Sequence, residues 1–480
     1  MSDSHCDEGQ AVWENPLVTR YASGEMASLW GDHRRYRLWR EMWLALAEAE
    51  SELGLSITPE QLSELRSHIE PINFSKAAEY EKKMRHDVFA HLHTWADQCP
   101  LARPILHLGA TSAFVTDNTD LVLMRDSLEL IEQRLVALIE SLATLAMNTR
   151  NVVCLGLTHL QSAQPTTIGK RICLWIHDLL MDLDEISRRK NLLRARGAKG
   201  TTGTQASFLE LFAGDHEKVR KLDQIVARKI GFAESYMVTG QTYSRKVDSQ
   251  VVAALAGLCE SAHKAGNDLR IAASRGELEE PFEDEQVGSS AMPYKRNPMR
   301  AERICSLSRF VMGLASTASQ TAAVQWFERT LDDSAVRRLV LPQAFLATDA
   351  VLVIYTNIAR GLVVQDAIIE KNLRNDLPFL ASERILMAGT TAGGDRQSLH
   401  EALRHHSHAA TAEIRKGRPN DLLQRLKSDP LFGSISLDSA MEISGLAGRA
   451  PQQVEDFIGG PVAEMLALHT VRPKDASLRV

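Results

Sequence analysis

From Asn118 to Asn148 the chain contains neither glycine nor proline, and Leu121/Met124, Leu128/Ile131, Leu135/Leu138 and Leu142/Leu145 recur as four successive a/d pairs. A strict 3.5-residue repeat sustained this long predicts one helix packed in a left-handed bundle. At 1.5 Å per residue that helix would be roughly 45 Å long. One apolar seam of this length needs other long helices against it. Segments at about 166 to 196, 244 to 275, 298 to 323 and 334 to 362 supply them, with no strand signals between, and Pro342 is expected to kink the last near its start. Aromatic residues are only 6% of the chain while Leu and Ala are plentiful, which also favours helix over strand. The expected fold class is therefore all-α.

At 480 residues the chain is too long for one compact core. We read three parts: a small N-terminal helical region at 1–111, the long-helix bundle at 112–364, and a small helical region at 365–480. In the first part, Leu38, Met42, Ala45, Leu46, Ala49 and Leu53 mark one helical face over 32 to 53. Thr58-Pro59-Glu60-Gln61 is a capping box that starts a second helix. Ser75 to Cys99 reads as a third helix-like segment, ended by Pro100. Five long helices exceed what one subunit easily covers, which leaves two readings open: a homo-oligomer or a large monomeric bundle.

Charge and cysteine usage exclude several classes. A net charge of −6, with the basic residues scattered, gives no footprint for nucleic acid. No window reads as the run of about 18 apolar residues that a membrane span needs. The opening MSDSHCDEGQAVWENP is polar and acidic, without the pattern of a secretory leader, and the closing SLRV matches no sorting address. Cys6, Cys99, Cys154, Cys173, Cys259 and Cys305 are far apart with no CxxC, so they read as buried or free thiols of a reducing compartment, by default the cytosol.

The chemistry concentrates in Pro281 to Pro298, PFEDEQVGSSAMPYKRNP. One glycine, two serines and three prolines cannot continue a helix, so this is a loop long enough to act as a lid. By residue type it offers a nucleophile or base at Ser289 or Ser290, a cation at Lys295 and an amide at Asn297. A lone Gly-Ser-Ser is ordinarily a flexible turn. Here, however, Gly288 to Pro298 fills every fixed position of the signature loop GSSxMPxKxNP and resembles the fumarase/aspartase superfamily. Arg20-Tyr21, Arg85-His86-Asp87, Thr111-Ser112, Thr158-His159, Gln164-Pro165, KGTTGTQAS at 199 to 207, Gln241 and RTLDDSAVRR at 329 to 338 are similar to the adenylosuccinate lyase family within it, in a form close to the animal enzymes. GGDRQSLHEALR at 393 to 404 fits the same family.

That resemblance implies a β-elimination that releases fumarate from adenylosuccinate, giving AMP, and from the succinyl-carboxamide ribotide SAICAR, giving AICAR. It implies Ser289, rather than its neighbour Ser290, as general base and His159 as general acid. An imidazole titrating near pH 6.5 suits donation to a leaving nitrogen. A serine serves as base only once ionised, which needs positive charge and N–H donors in a dry site. Lys295 and Asn297 would meet the charge that develops on the carboxylate, and His86 would support the substrate or His159. For the phosphate and carboxylates the matching positions are Arg20, Arg85, Arg303, Arg329 and Arg338, with Ser334 sharing a helix face with Arg338. Asp332 or Asp333 is expected to cap that helix, leaving its N-terminus as an anion site. Tyr21, Asp87, Thr111, Ser112, Thr158 and Gln241 complete the substrate-binding set. The resemblance also implies no cofactor, no metal, and a homotetramer in which three subunits contribute to each site.

His86, His91 and His93, and the pair His405-His406, match no zinc spacing and are set aside as metal ligands. Gly197 to Gly203 lacks the ending of a phosphate loop and reads as a connection between helices. The rivals are a different superfamily member, chiefly argininosuccinate lyase, and a non-catalytic structural protein on the same fold, which would have lost the acid, the base or the lid.

Overall fold

The computed structural model describes residues 12–473, 476 and 478; Cys6, most of the polar opening and most of the closing SLRV lie outside them. Five long helices dominate: α1 (Ser112–Asn148), α2 (Ile168–Leu192), α3 (Lys246–Ser274), α4 (Met299–Ala323) and α5 (Asp332–Gly361). They pack as a ring in the order α2, α1, α5, α4, α3 and back to α2, with α3 also touching α5. The heptad reading of α1 holds. Leu121, Met124, Leu128, Ile131, Leu135, Leu138 and Leu142 are buried, and Leu145 is partly so. Burying each such side chain contributes about 1.5–3 kcal/mol, so the seam is what holds the 37-residue helix in the bundle. α5 continues helical through Pro342.

One sequence reading is corrected here. By composition, α5 has an apolar stretch long enough to cross a membrane. That stretch is 78% buried inside the fold, which marks a core helix of the bundle.

Before the bundle, Asp32–Glu52 and Pro59–Ser67 form as read, and the Thr58 capping box is complete: Gln61 N donates to Thr58 Oγ1 at 3.3 Å and Thr58 N to Gln61 Oε1 at 2.9 Å. The segment read as one helix over 75 to 99 is two, Phe74–Met84 and Asp87–Gln98. The break falls at Arg85, which caps the first helix in the left-handed conformation (φ 56°). No glycine or proline announces it.

One apolar core runs from Leu17 to Ile369 and takes in Val454 and Val462 from beyond. A separate one gathers residues between Ala381 and Ala440. Among the described residues the strands form only two-residue antiparallel pairs: 153–154 with 166–167, 157–158 with 161–162, and 278–279 with 363–364. Cys99, Cys154, Cys173, Cys259 and Cys305 are buried free thiols.

Candidate active site

The break at Arg85 faces the start of α1, and together they open the largest gathering of site residues. His86 is the N-cap of Asp87–Gln98; its Nδ1 accepts from Phe89 N at 3.4 Å, which leaves Nε2 to carry the proton in the neutral ring. That Nε2 lies 3.3 Å from Ser112 Oγ, in the first turn of α1 after its N-cap Thr111. Across the opening, Ser334 and Arg338 sit one turn apart on α5, and Arg338 Nη2 bonds Asp87 Oδ2 at 2.5 Å. Burial alone works against both charges. Their mutual bond outweighs it, raising Arg338 and, with the Val88 N–H, lowering the Asp87 carboxyl below its usual value. A cavity of about 640 Å³ results, lined by Arg85, His86, Asp87, Thr111, Ser112, Gln241, Arg329, Ser334 and Arg338.

The same cavity is also lined by an ion network that sequence reading missed, built from Arg35, Asp117, Asp120, Arg245, Asp333 and Arg337. Arg245 clamps Asp117 with both terminal nitrogens (2.9 and 3.1 Å) and donates Nε to Asp333 at 2.5 Å. Asp333 in turn holds Arg329 at 2.8 Å. Arg337 bonds Asp248 at 2.6 Å and Asp120 at 3.0 Å, and Arg35 reaches Asp120 at 2.9 Å. Burial opposes the charges on Arg245 and Arg337, but the surrounding carboxylates outweigh it and keep both cationic. Neither Asp332 nor Asp333 therefore caps α5, although one of them was expected to. The N-cap is Leu331, with no side-chain bond, and Asp333 is fully buried as the bridge between two arginines. Buried charges of this kind look like surface residues in sequence, and Asp117 and Asp120 share their helix with Arg125, Asp126, Glu129, Glu132, Arg134 and Glu140, so nothing local set them apart.

The remaining expected residues are elsewhere on the chain. Thr158 and His159 belong to the hairpin 157–162, whose two-residue turn is His159-Leu160, with φ of 55° and 58°. Positive φ at both central residues is the geometry of a type I′ turn, normally made by Asn-Gly. For leucine it is a strained exception. The turn holds His159 at an exposed tip. The hairpin is tied down by Ser162 to Asp376 (2.5 Å) and by Gln164 to Glu383. Thr158 lines a second cavity, of about 660 Å³.

The lid runs from Pro281 to Pro298. Its ends are fixed by Glu280, which accepts from Arg300 N (2.9 Å) and Ala301 N (2.6 Å) at the start of α4. Asn297 Nδ2 donates to Gly288 O at 2.9 Å and closes the signature loop on itself. Gly288 is required there, since a Cβ would stand 2.3 Å from Lys295 O. Ser289 is half-buried and its Oγ accepts from Met292 N at 3.1 Å, whereas Ser290 and Lys295 are exposed. Asn297 borders a third cavity, of about 410 Å³. Arg303 is half-buried on α4; Arg20 and Tyr21 lie in the short turn Leu17–Tyr21, packed on α5. None of these lines the first cavity. The histidines set aside earlier have other neighbours: His91 stacks on Tyr36 at 3.7 Å, and His406 bonds Asp429 at 2.8 Å.

A family model described as a lyase matches residues 69–313, and one described as the adenylosuccinate lyase C-terminus matches 378–457. The same architecture is found in the 3-carboxy-cis,cis-muconate lactonizing enzyme of Pseudomonas putida (TM-score 0.81, 21% identity, covering 94% of this chain and 100% of that one), a likeness of fold. The class is thus an all-helical lyase of the fumarase/aspartase superfamily. Adenylosuccinate lyase of Schistosoma mansoni is 51% identical over 455 residues, 94% of this chain and 95% of that protein. That of Saccharomyces cerevisiae is 51% identical over 452 residues, covering 93% and 94% respectively. The chain belongs to the adenylosuccinate lyase family.

Proposed function

We propose that this enzyme eliminates fumarate from adenylosuccinate, giving AMP, and from SAICAR, giving AICAR. The observation that carries the reading is the single cavity in which Arg85, His86, Ser112, Gln241, Arg329, Ser334 and Arg338 converge. Guanidinium forks and hydroxyls on one wall suit a ligand bearing a phosphate and two carboxylates.

In the proposed mechanism Ser289 takes the proton from the carbon beside one carboxylate. His159 protonates the nitrogen that leaves the neighbouring carbon. The electrons of the broken C–H bond form the new C=C bond as the C–N bond breaks. Lys295 and Asn297 meet the extra negative charge on the carboxylate while it exists. The N–H already directed at Ser289 Oγ favours its ionised form, and lid closure would supply the dry surroundings that strengthen such bonds. No metal or cofactor is assigned a step.

Acid, base and binding wall stand on separate surfaces of one chain, which supports a homotetramer with sites shared among three subunits. Five buried, unpaired thiols suit the cytosol. The division at 111/112 and 364/365 is kept as a proposal, supported at the second boundary by the separate core of residues 381 to 440.

Purified protein should convert adenylosuccinate to AMP, followed by the absorbance change, and should leave argininosuccinate intact. Turnover of argininosuccinate instead would overturn the substrate assignment.

A further inference from the structure

Arg196 is fully buried near the start of the connection after α2, and among the described residues no carboxylate bonds or pairs with it. Its donors all go to main-chain carbonyls. Nε and Nη2 reach Gln241 O (3.0 and 2.5 Å), Nη2 also reaches Gly200 O (2.8 Å), and Nη1 reaches Gly197 O (3.2 Å). Keeping a guanidinium out of water without a direct counter-ion is costly, and burial brings its pKa down to about 10. A role confined to joining two loops would not require a charge.

The two loops are unequal. Gly197 is pinned to α1, where Asn118 Oδ1 accepts from Gly197 N (3.0 Å) and Asn118 Nδ2 donates to Gly197 O (3.3 Å). Ala198 N bonds Asp223 (2.8 Å) and Lys199 pairs with the same carboxylate (2.6 Å). This side is a fixed base. On the other side, Gln241 has its N–H on Glu328 O (2.9 Å), beside Arg329, and its carbonyl on Arg196. Residue 241 is therefore held at both polar main-chain atoms, and it lines the first cavity.

We propose that Arg196 is a positioning residue: by gripping the main chain of Gln241 from a rigid base, it sets the aim of the Gln241 side chain into the substrate cavity. The inference rests on the reading of Gln241 as substrate-binding. Arg196 acts through Gln241 and touches no substrate.

A double-mutant cycle on the assembled enzyme tests this, using Arg196→Lys, Arg196→Gln and Gln241→Ala with adenylosuccinate. Each Arg196 variant should raise KM about tenfold, the scale of a lost charge-assisted hydrogen bond, and change kcat less than about threefold. In the Gln241→Ala background the same Arg196 substitutions should leave KM unchanged, because the group they aim is gone. Effects that add in the cycle, or a wild-type KM in both Arg196 variants, would overturn the proposal while leaving Gln241 in the site. A Gln241→Ala enzyme with wild-type KM would remove the substrate-binding reading and the proposal with it. If neither Arg196 variant assembles, as read by light scattering, the residue belongs to the fold alone and the proposal also falls.

Discussion

The wall around Ser112, Gln241 and Arg338 and the two projecting segments that carry His159 and Ser289 differ in how much of their surroundings one chain provides. Within the wall, Asp117, Arg245 and Asp333 are buried and pass one ion pair to the next as far as Arg329, all four lining the cavity. Such a network is set before any ligand arrives, so little reorganisation is left for binding. The hairpin tip and the lid are mostly exposed; the lid closes on itself through Asn297, and the hairpin is tied through Ser162 to Asp376. On the proposed assignment, ground-state recognition is built into the monomer's interior, and the groups assigned to proton transfer sit on surfaces that need cover before they can work in a dry site.

The largest effect should come from the exposed half. His159→Ala and Ser289→Ala should each lower kcat by on the order of a thousandfold, with assembly and thermal stability unchanged. Mixing the two inactive variants under conditions that exchange subunits should restore part of the activity, since some mixed sites would receive an intact residue from each chain. Full activity in either single variant removes its assigned role, and failure of the mixture to recover argues that both residues come from one chain. On the wall, Arg338→Gln should act differently, raising KM by about ten- to a hundredfold with kcat changed only slightly, as expected when a ground-state anion contact is lost. A fall in kcat as large as that of the His159 variant would erase the distinction between the two halves.

Legibility in the sequence divides along other lines. α1 and the Thr58 cap could be read directly, because heptad spacing and a capping box are local signals. The break at Arg85 could not, although it turns Arg85, His86 and Asp87 toward the cavity: a left-handed arginine has no signature of its own, and tertiary packing overrides the helical pattern around it. The turn at His159-Leu160 was hidden for the same reason, since its residues contradict the turn they adopt, and only the family motif singled it out. Arg196, Arg245, Arg337 and Asp333 carry no mark that separates a buried charge from a solvated one. The lid was legible as a loop from its prolines and glycine, and as chemistry only through its likeness to the family signature.

Burial without partners makes a third case beside the wall and the lid. Glu50 lies in Asp32–Glu52, the helix that also brings Arg35 and Trp39 to the cavity. It is fully buried, neither carboxyl oxygen has a hydrogen-bond partner among the described residues, and burial lifts its pKa from 4.5 to about 8. Above pH 4.5 the unfolded chain releases this proton, and the folded one keeps it until about pH 8. Stability therefore falls as pH rises through that window, by on the order of 3 kcal/mol between pH 4.5 and 7 from this group alone. Glu50→Gln should flatten the slope, so that its stability gains on the wild type as pH rises from 5 to 8 in urea titrations. Parallel curves would show that Glu50 is already ionised in the folded protein.

The smallest expected effect tests why the hairpin tip is strained. Leucine in the left-handed region costs about 1 kcal/mol, and asparagine adopts it readily. Leu160 is 66% exposed on the single chain, so its side chain gains little there to offset that cost. If the turn exists only to aim His159, Leu160→Asn should relieve the strain and stabilise the protein by about 0.5–1 kcal/mol, with kcat within about threefold of the wild type. A loss of stability, growing as the protein is diluted, would mean that another copy packs on Leu160 in the assembly. The exposed half of the site would then be a docking edge whose strain is compensated on association, and its contrast with the preformed wall would belong to the free chain only.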